Sequence, residues 1–309
     1  MKDIAPIVLF TYNRIYETKQ TILALQRNFL APYSNLIIFS DGPKNDMEYQ
    51  KVKMVREYLK TIDGFQSIEI HESEENNGLA NSIVSGVKQV LKKYDSLIVL
   101  EDDLLTSPNF LNFMNQALEF YETHPKVMSI SGYTMNLPSL KNYDKDFYVG
   151  LRASSWGWGT WSNKWEHIDW EVRDYSTFKK SPLKRYKFFS ISSDLPYMLH
   201  NQMSGKIDSW AIRWCYHQFK EGLITVFPSN SKVNSIGLSE SATHTSGAFK
   251  FISPLDQSLK TEFEFEKELH INKNIIKDFK RKFSITKRLC DKARRAFRIL
   301  KNKFGLVIV

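Results

Sequence analysis

Ser96-Leu97-Ile98-Val99-Leu100-Glu101-Asp102-Asp103 is the stretch of sequence that decides the fold, because an apolar run ends there in three consecutive carboxylates. An uninterrupted apolar run of this length is typical of a strand buried on both faces of a sheet. Upstream of it, short apolar runs alternate with amphipathic stretches. Strands are expected at residues 7–10, 36–39 and 67–70, and helices at residues 18–28, 48–61 and 78–93. This alternation predicts an α/β fold with a mainly parallel sheet flanked by helices.

Polar residues follow three of these apolar runs. They form the clusters Thr11-Tyr12-Asn13-Arg14, Ser40-Asp41-Gly42 and Glu101-Asp102-Asp103. In open α/β sheets ligands bind outside the carboxyl ends of the strands, so we expect the three clusters to meet in one site. Asn77-Gly78-Leu79, which opens a predicted helix, could add backbone N–H groups for a phosphate, although a plain glycine turn explains it equally well.

The three consecutive carboxylates repel one another unless a positive group lies among them. A hard divalent cation, Mg²⁺ or Mn²⁺, would meet that need, since such ions bind one or two protein carboxylates together with substrate phosphates. The alternative is that the acids cap the next helix. Ser107 followed by Pro108 already supplies a cap and a first turn for a helix over residues 108–123, which favours the metal.

Two further motifs lie in the second half of the chain. Ser155-Trp156-Gly157-Trp158-Gly159-Thr160-Trp161 places glycines between large rings, where a ligand can approach the backbone closely. Asp208-Ser209-Trp210 opens a predicted helix, and His244 lies in a polar segment.

Residues 5–245, with these motifs, resemble the GT-A glycosyltransferases. The resemblance is greatest to N-acetylglucosaminyltransferase I and its protein-O-mannose relatives, and extends to bacterial polysaccharide transferases. It implies a GT-A, Rossmann-like sheet that binds a nucleotide sugar and a metal ion. The acid run and the Asp-Ser-Trp segment carry the likeness, with Ser209 standing where the family has a second acid.

The resemblance also implies roles for individual residues. Asp103 would bind Mn²⁺ or Mg²⁺, with His244 as a second candidate ligand, and Asp208 would be the catalytic base. Donor contacts are implied for Thr11, Asn13, Arg14, Asp41, Glu101 and Asp102, and a place beside donor and acceptor for Trp156, Trp158 and Trp161. Simpler interpretations stay open for five of these assignments: an ordinary turn at Asp41, a surface charge at Arg14, core packing of the tryptophans, helix capping by Asp208, and a plain loop position for His244.

The activity that the resemblance implies is inverting, metal-dependent transfer of a hexosyl or N-acetylhexosaminyl group from a UDP-sugar to a saccharide acceptor, which could be lipid-linked. We expect one GT-A domain at residues 1–270, with its nucleotide-sugar half at 1–125 and its acceptor half at 126–270. One alternative is a sugar nucleotidyltransferase, which needs a glycine-rich phosphate loop that residues 10–17 lack. The other is a catalytically inactive, membrane-associated binding protein.

The positive charge of the chain is concentrated at its end. The chain has 309 residues and a net charge of +9, but residues 273–309 alone carry +11. We therefore expect a basic, amphipathic helical tail at residues 271–309, whose partner is an anionic membrane surface and not nucleic acid. The alternative is that its apolar face packs on the body. Its apolar residues recur at helical spacing: Ile285, Leu289, Ala293, Ala296, Phe297, Leu300 and Phe304.

The compartment can also be predicted. No apolar run approaches the roughly 20 residues that span a bilayer, and we see no secretion signal before the first strand. Cys215 and Cys290 match no metal or redox spacing, which favours a reducing compartment. We expect a cytoplasmic protein, peripherally associated with the inner face of the membrane.

Overall fold

The structure is a computed structural model, and it describes residues 4–237 and 251–286. Ten strands and ten α-helices are found there, with short 3₁₀ turns at Ala31–Tyr33 and Pro138–Leu140. The strands are β1 (Ile7–Thr11), β2 (Asn35–Ser40), β3 (Ser67–Glu72), β4 (Ser96–Glu101), β5 (Leu104–Thr106), β6 (Val127–Ser131), β7 (Phe147–Gly150), β8 (Trp158–Trp161), β9 (Ile224–Pro228) and β10 (Val233–Ser235). The helices are α1 (Ile15–Gln26), α2 (Asp46–Leu59), α3 (Leu79–Val90), α4 (Phe110–Tyr121), α5 (Ser162–Trp165), α6 (Tyr175–Lys180), α7 (Pro182–Ile191), α8 (Leu195–Met203), α9 (Trp210–Lys220) and α10 (Lys273–Lys282).

Eight of the strands form one sheet in the order β3-β2-β1-β4-β8-β6-β9-β7. The first four strands pair in parallel, as do β6 and β9. Strand β8 lies antiparallel between β4 and β6, and β7 lies antiparallel to β9. Four of the seven pairings are therefore parallel, which confirms the predicted mixed, mainly parallel sheet flanked by helices. Strands β5 and β10 form a separate antiparallel ribbon.

Both faces of the sheet are covered, because successive residues of its strands enter opposite cores. Leu9 of β1 and Leu100 of β4 belong to the core under α1, α2 and α4. Val8 and Val99 belong to the core under α3 and α6–α9. The unbroken apolar runs of β1 and β4 thus reflect burial on both faces of the sheet. Where these runs end, the polar residues that follow them lie at the edge of the sheet.

Helix α4 begins two residues later than the sequence predicts. Its N-cap is Asn109, and Ser107 instead donates its hydroxyl to Asn109 Oδ1 at 2.8 Å. The expectation that Ser107 caps this helix is therefore wrong. The Asn109 side chain makes no capping bond: its Oδ1 accepts from Ser107, and its amide nitrogen donates to another segment.

That segment, residues 252–272, is called the strap, and it crosses the outer side of α4. The Asn109 amide donates to Asp256 Oδ2 at 3.1 Å and to the Lys260 carbonyl at 3.0 Å. Further along, the Tyr121 hydroxyl donates to the Glu266 carbonyl at 2.9 Å. The strap leads directly into α10 and so decides where that helix lies.

Helix α10 is the only described helix of the predicted basic tail. Its Ile275 is 1% exposed and the following Phe283 is 3% exposed, and both belong to the core under α4. The start of the tail thus packs on the body. Residues 287–309 lie outside the described residues, and with them all of the seven predicted apolar-face positions except Ile285. Among the described residues, no helix is long and apolar enough to cross a membrane.

Candidate functional site

A cavity of about 300 Å³ lies at the carboxyl ends of β1, β2 and β4. The polar clusters that follow these three strands meet in it, as the sequence predicts. The start of α3 closes one side. The lining residues are Phe10, Thr11, Tyr12, Arg14, Phe39, Asp41, Lys44, Asn76, Gly78, Leu79, Ser82, Glu101 and Asp102. We call this space the strand-end cavity.

Arg14 is the positive group that lies among the three acids. Its guanidinium binds Asp102 through one nitrogen and Asp103 through the other, the latter at 3.2 Å. Asp102 is 3% exposed and also accepts a hydrogen bond from the Tyr12 N–H at 3.3 Å. The repulsion that led us to expect a metal is therefore relieved in part by a side chain from the loop after β1.

The acid run still binds protons more tightly than free carboxylates do. Burial, with the nearby charges of Asp103 and Asp102, raises the pKa of Glu101 to about 8. Burial also raises the pKa of Asp102 to about 6, although Arg14 acts in the opposite direction. At neutral pH Glu101 thus keeps its proton and can donate a hydrogen bond, whereas Asp102 is mostly ionised.

Asp103 lies at the rim of the run, where it contacts the β10 side of the molecule. Its carbonyl accepts a hydrogen bond from the Ile236 N–H at 2.9 Å. A Cβ on Gly237 would lie 1.8 Å from Asp103 Oδ2, so the backbone can approach this carboxylate only as glycine. In the β5–β10 ribbon Leu104 pairs with Ser235, and this pairing holds the segment after Asp103 against the segment before Ile236.

The donor atoms around Asp103 fit a hard cation, but only as part of its ligand set. The Asp103 side chain is 18% exposed, and its Oδ2 is the oxygen that contacts Arg14. In residues 4–237 and 251–286 no group of three or more His, Cys, Asp or Glu side chains is arranged to hold a metal. A divalent ion here would therefore take most of its ligands from a bound substrate, as Mg²⁺ commonly does. His244, the other predicted ligand, lies outside the described residues.

Asp41 organises the loop that precedes α3. Its carboxylate accepts hydrogen bonds from the N–H of Asn77 at 2.9 Å, the N–H of Gly78 at 3.0 Å and the Asn76 amide at 3.1 Å. Gly78 has φ +74°, a conformation that favours glycine. No side chain caps α3 at Gly78, so the first N–H groups of the helix have no intrahelical partner, and Gly78 and Leu79 line the strand-end cavity. Asp41 thus fixes the loop that leads into α3.

In the loop after β1, some side chains line the strand-end cavity and others contact α2 or the segment before it. Thr11 lines the cavity, and its buried hydroxyl has no hydrogen-bond partner in the described part of the chain. Asn13 donates its amide to Glu48 of α2, which fixes the loop. The Tyr12 hydroxyl accepts a hydrogen bond from the Lys44 N–H at 3.1 Å.

An aromatic wall on one side of the cavity was not predicted. Phe10 and Phe39 stack with ring centroids 5.4 Å apart, and Phe39 stacks on His71 at 4.8 Å. Phe10 and Phe39 each end a predicted strand, and their opposing positions follow from the parallel register of β1 and β2. Lys44, also missed, comes shortly after the Asp41-Gly42 turn that the sequence singled out.

The tryptophans of the predicted donor and acceptor pocket have different environments. Trp158 and Trp161 are 1% and 3% exposed and lie in the two cores, on opposite faces of β8. Trp158 packs against Trp214 at 4.4 Å. Trp156 is partly exposed and lines a second cavity of about 190 Å³, which is largely apolar. Of the three, only Trp156 offers its ring to a cavity.

Asp208 lies just before α9 and is not its cap. Ser209 is the N-cap, and its hydroxyl accepts from the Ile212 N–H at 3.4 Å. The Asp208 side chain is 62% exposed, with its carboxylate 3.5 Å from the Arg213 guanidinium. The carboxylate is thus open to solvent, and Asp208 is not among the described residues that line the strand-end cavity.

Comparisons with known proteins give distant structural likenesses. No family model matches the chain, and neither does any curated protein. The chain is similar to mannosyltransferase PcManGT from Pyrobaculum calidifontis in complex with GDP-Man and Mn²⁺, with 12% identity, 70% of this chain and 69% of that chain covered, and a TM-score of 0.41. It is also similar to S. aureus TarS, with 12% identity, 53% of this chain and 30% of that chain covered, and a TM-score of 0.35.

Proposed function

We propose that this protein is a nucleotide-sugar-dependent glycosyltransferase of the GT-A type. The observation that carries the proposal is the strand-end cavity, in which an aromatic wall, an Arg14-bridged acid run and the open start of α3 face one space. A nucleotide sugar has an aromatic base, two hydroxyl-bearing rings and a diphosphate. The cavity offers a chemically matching group for each of these parts.

The match can be stated part by part. The rings of Phe10 and Phe39 suit a nucleobase, and the unpartnered Thr11 hydroxyl suits a polar edge of the base or ribose. Glu101 and Asp102 suit the hydroxyls of the ribose and the donor sugar. Arg14, Lys44 and the first-turn N–H groups of α3 suit the diphosphate. The volume of about 300 Å³ lies at the lower end of the range for ligand pockets.

Mn²⁺ or Mg²⁺ would be held by Asp103 together with the donor phosphates, and by His244 if that side chain reaches them. When bound, such an ion stabilises the negative charge on the departing nucleoside diphosphate. Arg14 binds Asp102 and Asp103 at the same time, and Asp102 lines the cavity beside it.

The proposed reaction is an inverting single displacement with Asp208 as the base. Asp208 would take the proton from the acceptor hydroxyl, which then attacks the anomeric carbon opposite the departing diphosphate. Its exposed carboxylate is accessible to a saccharide acceptor. Trp156 is the proposed platform for an acceptor ring, since its side chain lines a cavity and those of Trp158 and Trp161 are buried.

Finer features of the proposal are the UDP nucleotide, a hexosyl or N-acetylhexosaminyl group, and a lipid-linked acceptor at the cytoplasmic face of a membrane. The basic tail supports the membrane setting through its charge. Of the two alternative functions, a nucleotidyltransferase is disfavoured because the loop after β1 meets the cavity with side chains and holds no glycine. An inactive binding protein would bind donors without turning them over.

The experiment that tests the proposal is a panel of UDP-, GDP- and dTDP-sugars, measured for thermal stabilisation of the protein with Mn²⁺ and with chelator. We expect one nucleotide class to stabilise the protein, and Thr11→Val to weaken that effect. The control is Thr61→Val, which removes an exposed hydroxyl far from the cavity. Stabilisation by no nucleotide sugar, or equal loss in both variants, would contradict the proposal. Release of nucleoside diphosphate then separates an enzyme from a binding protein.

A further inference from the structure

Helix α7 presents an apolar stripe to solvent. Leu183 is 63% exposed, Tyr186 is 68% exposed and Phe189 is 38% exposed. These residues are three apart, so they lie side by side along one face of the helix. Exposed apolar residues on soluble proteins are normally scattered singly, whereas contiguous ones mark an interaction site. We call these three residues the α7 stripe.

The stripe points away from the protein because the opposite face of α7 is fixed in the core. Phe188 is fully buried, with its ring 4.9 Å from that of Phe219 and 5.7 Å from that of Tyr216. At 100° per residue, Phe188 lies nearly opposite the middle of the stripe, whereas Arg185 and Lys187 lie at its two edges. The helix therefore has an inner apolar anchor, an outer apolar stripe and a cation on each side of that stripe.

The surroundings of the stripe are strongly and uniformly positive. Helices α6 and α7 and their junction, residues 175–191, contain no Asp or Glu. Five cations lie within nine residues, all of them exposed, and none makes an ion pair within the described part of the chain: Lys179, Lys180, Lys184, Arg185 and Lys187. Free cations beside exposed aromatic and aliphatic side chains are the pattern of an interfacial helix.

We propose that α7 docks this protein on an anionic lipid surface, with the α7 stripe among the lipid headgroups and the flanking cations on their phosphates. Charge complementarity favours lipid over an acidic protein partner, because the apolar stripe lies between the cations and needs an apolar layer directly beneath an anionic one. Tyr186 suits that boundary, since its ring is apolar and its hydroxyl is polar.

The position of α7 links this surface to the basic end of the chain. The Ser193 hydroxyl, two residues after α7, donates to the carbonyl of Phe283, which ends α10. Lys277, Lys280 and Arg281 of α10 are exposed as well. No α7 residue lines the strand-end cavity, so this proposal does not depend on the proposed function.

The test is co-sedimentation of the full chain with phosphatidylcholine vesicles that contain phosphatidylserine, and with phosphatidylcholine vesicles alone. The cation variant is Lys184→Gln with Arg185→Gln and Lys187→Gln. Its matched control is Lys88→Gln in α3 with Lys92→Gln and Lys93→Gln in the turn that follows α3, three exposed lysines with no exposed apolar stripe between them. The stripe variant is Leu183→Ser with Tyr186→Ser, matched by Met47→Ser with Met54→Ser on α2, which are 80% and 53% exposed.

We expect the wild type to prefer the anionic vesicles. Each cation contributes about fivefold to partitioning, so the cation variant should partition up to about a hundredfold less. The stripe variant should lose about tenfold, and both controls should stay within about twofold of the wild type. All substitutions are at exposed positions, and unchanged thermal unfolding verifies the fold. Equal sedimentation of the wild type with the two vesicle types, or no sedimentation with either, would overturn the proposal. So would a cation or stripe variant whose loss of binding exceeds that of its matched control by less than about threefold.

Discussion

Replacing Arg14 by Met tests how the acid run is stabilised, because Met keeps most of the apolar stem and removes both charge contacts. Asp102 would then be a buried carboxylate without its cation. Removing one partner of a fixed buried ion pair typically costs about 3–5 kcal/mol. Here we expect a smaller loss, because Asp102 can escape by binding a proton.

The size of that loss follows from the pKa of Asp102. The pKa is raised from 3.8 to about 6, so the ionised group already costs the folded state about 3 kcal/mol. At pH 7, full protonation of an acid whose unfolded pKa is 3.8 costs about 4 kcal/mol, which is the largest penalty that Asp102 can cause. Only about 1 kcal/mol can therefore be added through Asp102 when Arg14 is removed. The half-exposed contact with Asp103 adds at most about 1 kcal/mol, giving about 2 kcal/mol at pH 7.

The loss should also depend on pH in a defined direction. Because the folded pKa of Asp102 lies above its unfolded value, ionisation of this group destabilises the protein as the pH rises. At pH 4.5 Asp102 is protonated in both folded proteins, so the difference should fall below about 1 kcal/mol. At pH 8 this largest penalty rises by about 1.4 kcal/mol, and the difference should grow with it.

The assay is urea unfolding followed by tryptophan fluorescence at pH 4.5, 7 and 8, with chelator present. The control is Arg27→Met at the end of the same helix, where the arginine is exposed and makes no ion pair within the described residues. This control should change stability by less than about 0.5 kcal/mol. A loss above 4 kcal/mol at pH 7, or the same loss at all three pH values, would refute the reasoning.

Three further predictions concern activity and membrane binding. Asp103→Asn should abolish metal-dependent transfer and lower stability by no more than about 1 kcal/mol, the contribution of its contact with Arg14. Asp95→Asn, at an exposed acid before β4, should keep activity, and full wild-type transfer in excess chelator would contradict the metal. Asp208→Asn should keep donor binding and lose about 10² to 10⁴ in turnover, and a product with retained anomeric configuration would exclude the inverting mechanism. A chain ending at Thr286, which keeps the buried Ile275 and Phe283, should sediment less with anionic vesicles than the full chain, and equal recovery would remove the tail as an anchor.

The fold of the first half could be predicted because its signals are local. Apolar runs with the lengths of strands, separated by helical periodicity, place β1 to β4 and the polar residues after them. Parallel pairing then brings those residues to one edge, as the strand-end cavity confirms. Such local patterns do not predict that β8 is inserted between β4 and β6. Its antiparallel pairing with Leu97 of β4 and Ile130 of β6 depends on partners that are distant in sequence.

The candidate site was less predictable because its contacts are long-range. Arg14 and Asp102 are 88 residues apart, and nothing near either residue marks them as partners. Burial of Trp158 and Trp161 on opposite sides of β8 follows from strand periodicity, but only after the stretch is known to be a strand. Likewise, the amide nitrogen of Asn109 donates to residues about 150 positions later, a contact that no local pattern around Asn109 marks.

The strap has a consequence for the order in which the chain can fold. Residues 252–272 close over α4, which is made from residues about 150 positions earlier, so the contacts of Asn109, Gln116 and Tyr121 form only after residues 260–266 have been synthesised. During translation the sheet can assemble while the outer side of α4, with the edge of Phe113, stays uncovered. Such late, non-local closure is slow compared with local helix formation. Chains that stop before residue 261 should therefore leave this side of α4 uncovered, and we expect them to aggregate more readily than chains that include the strap.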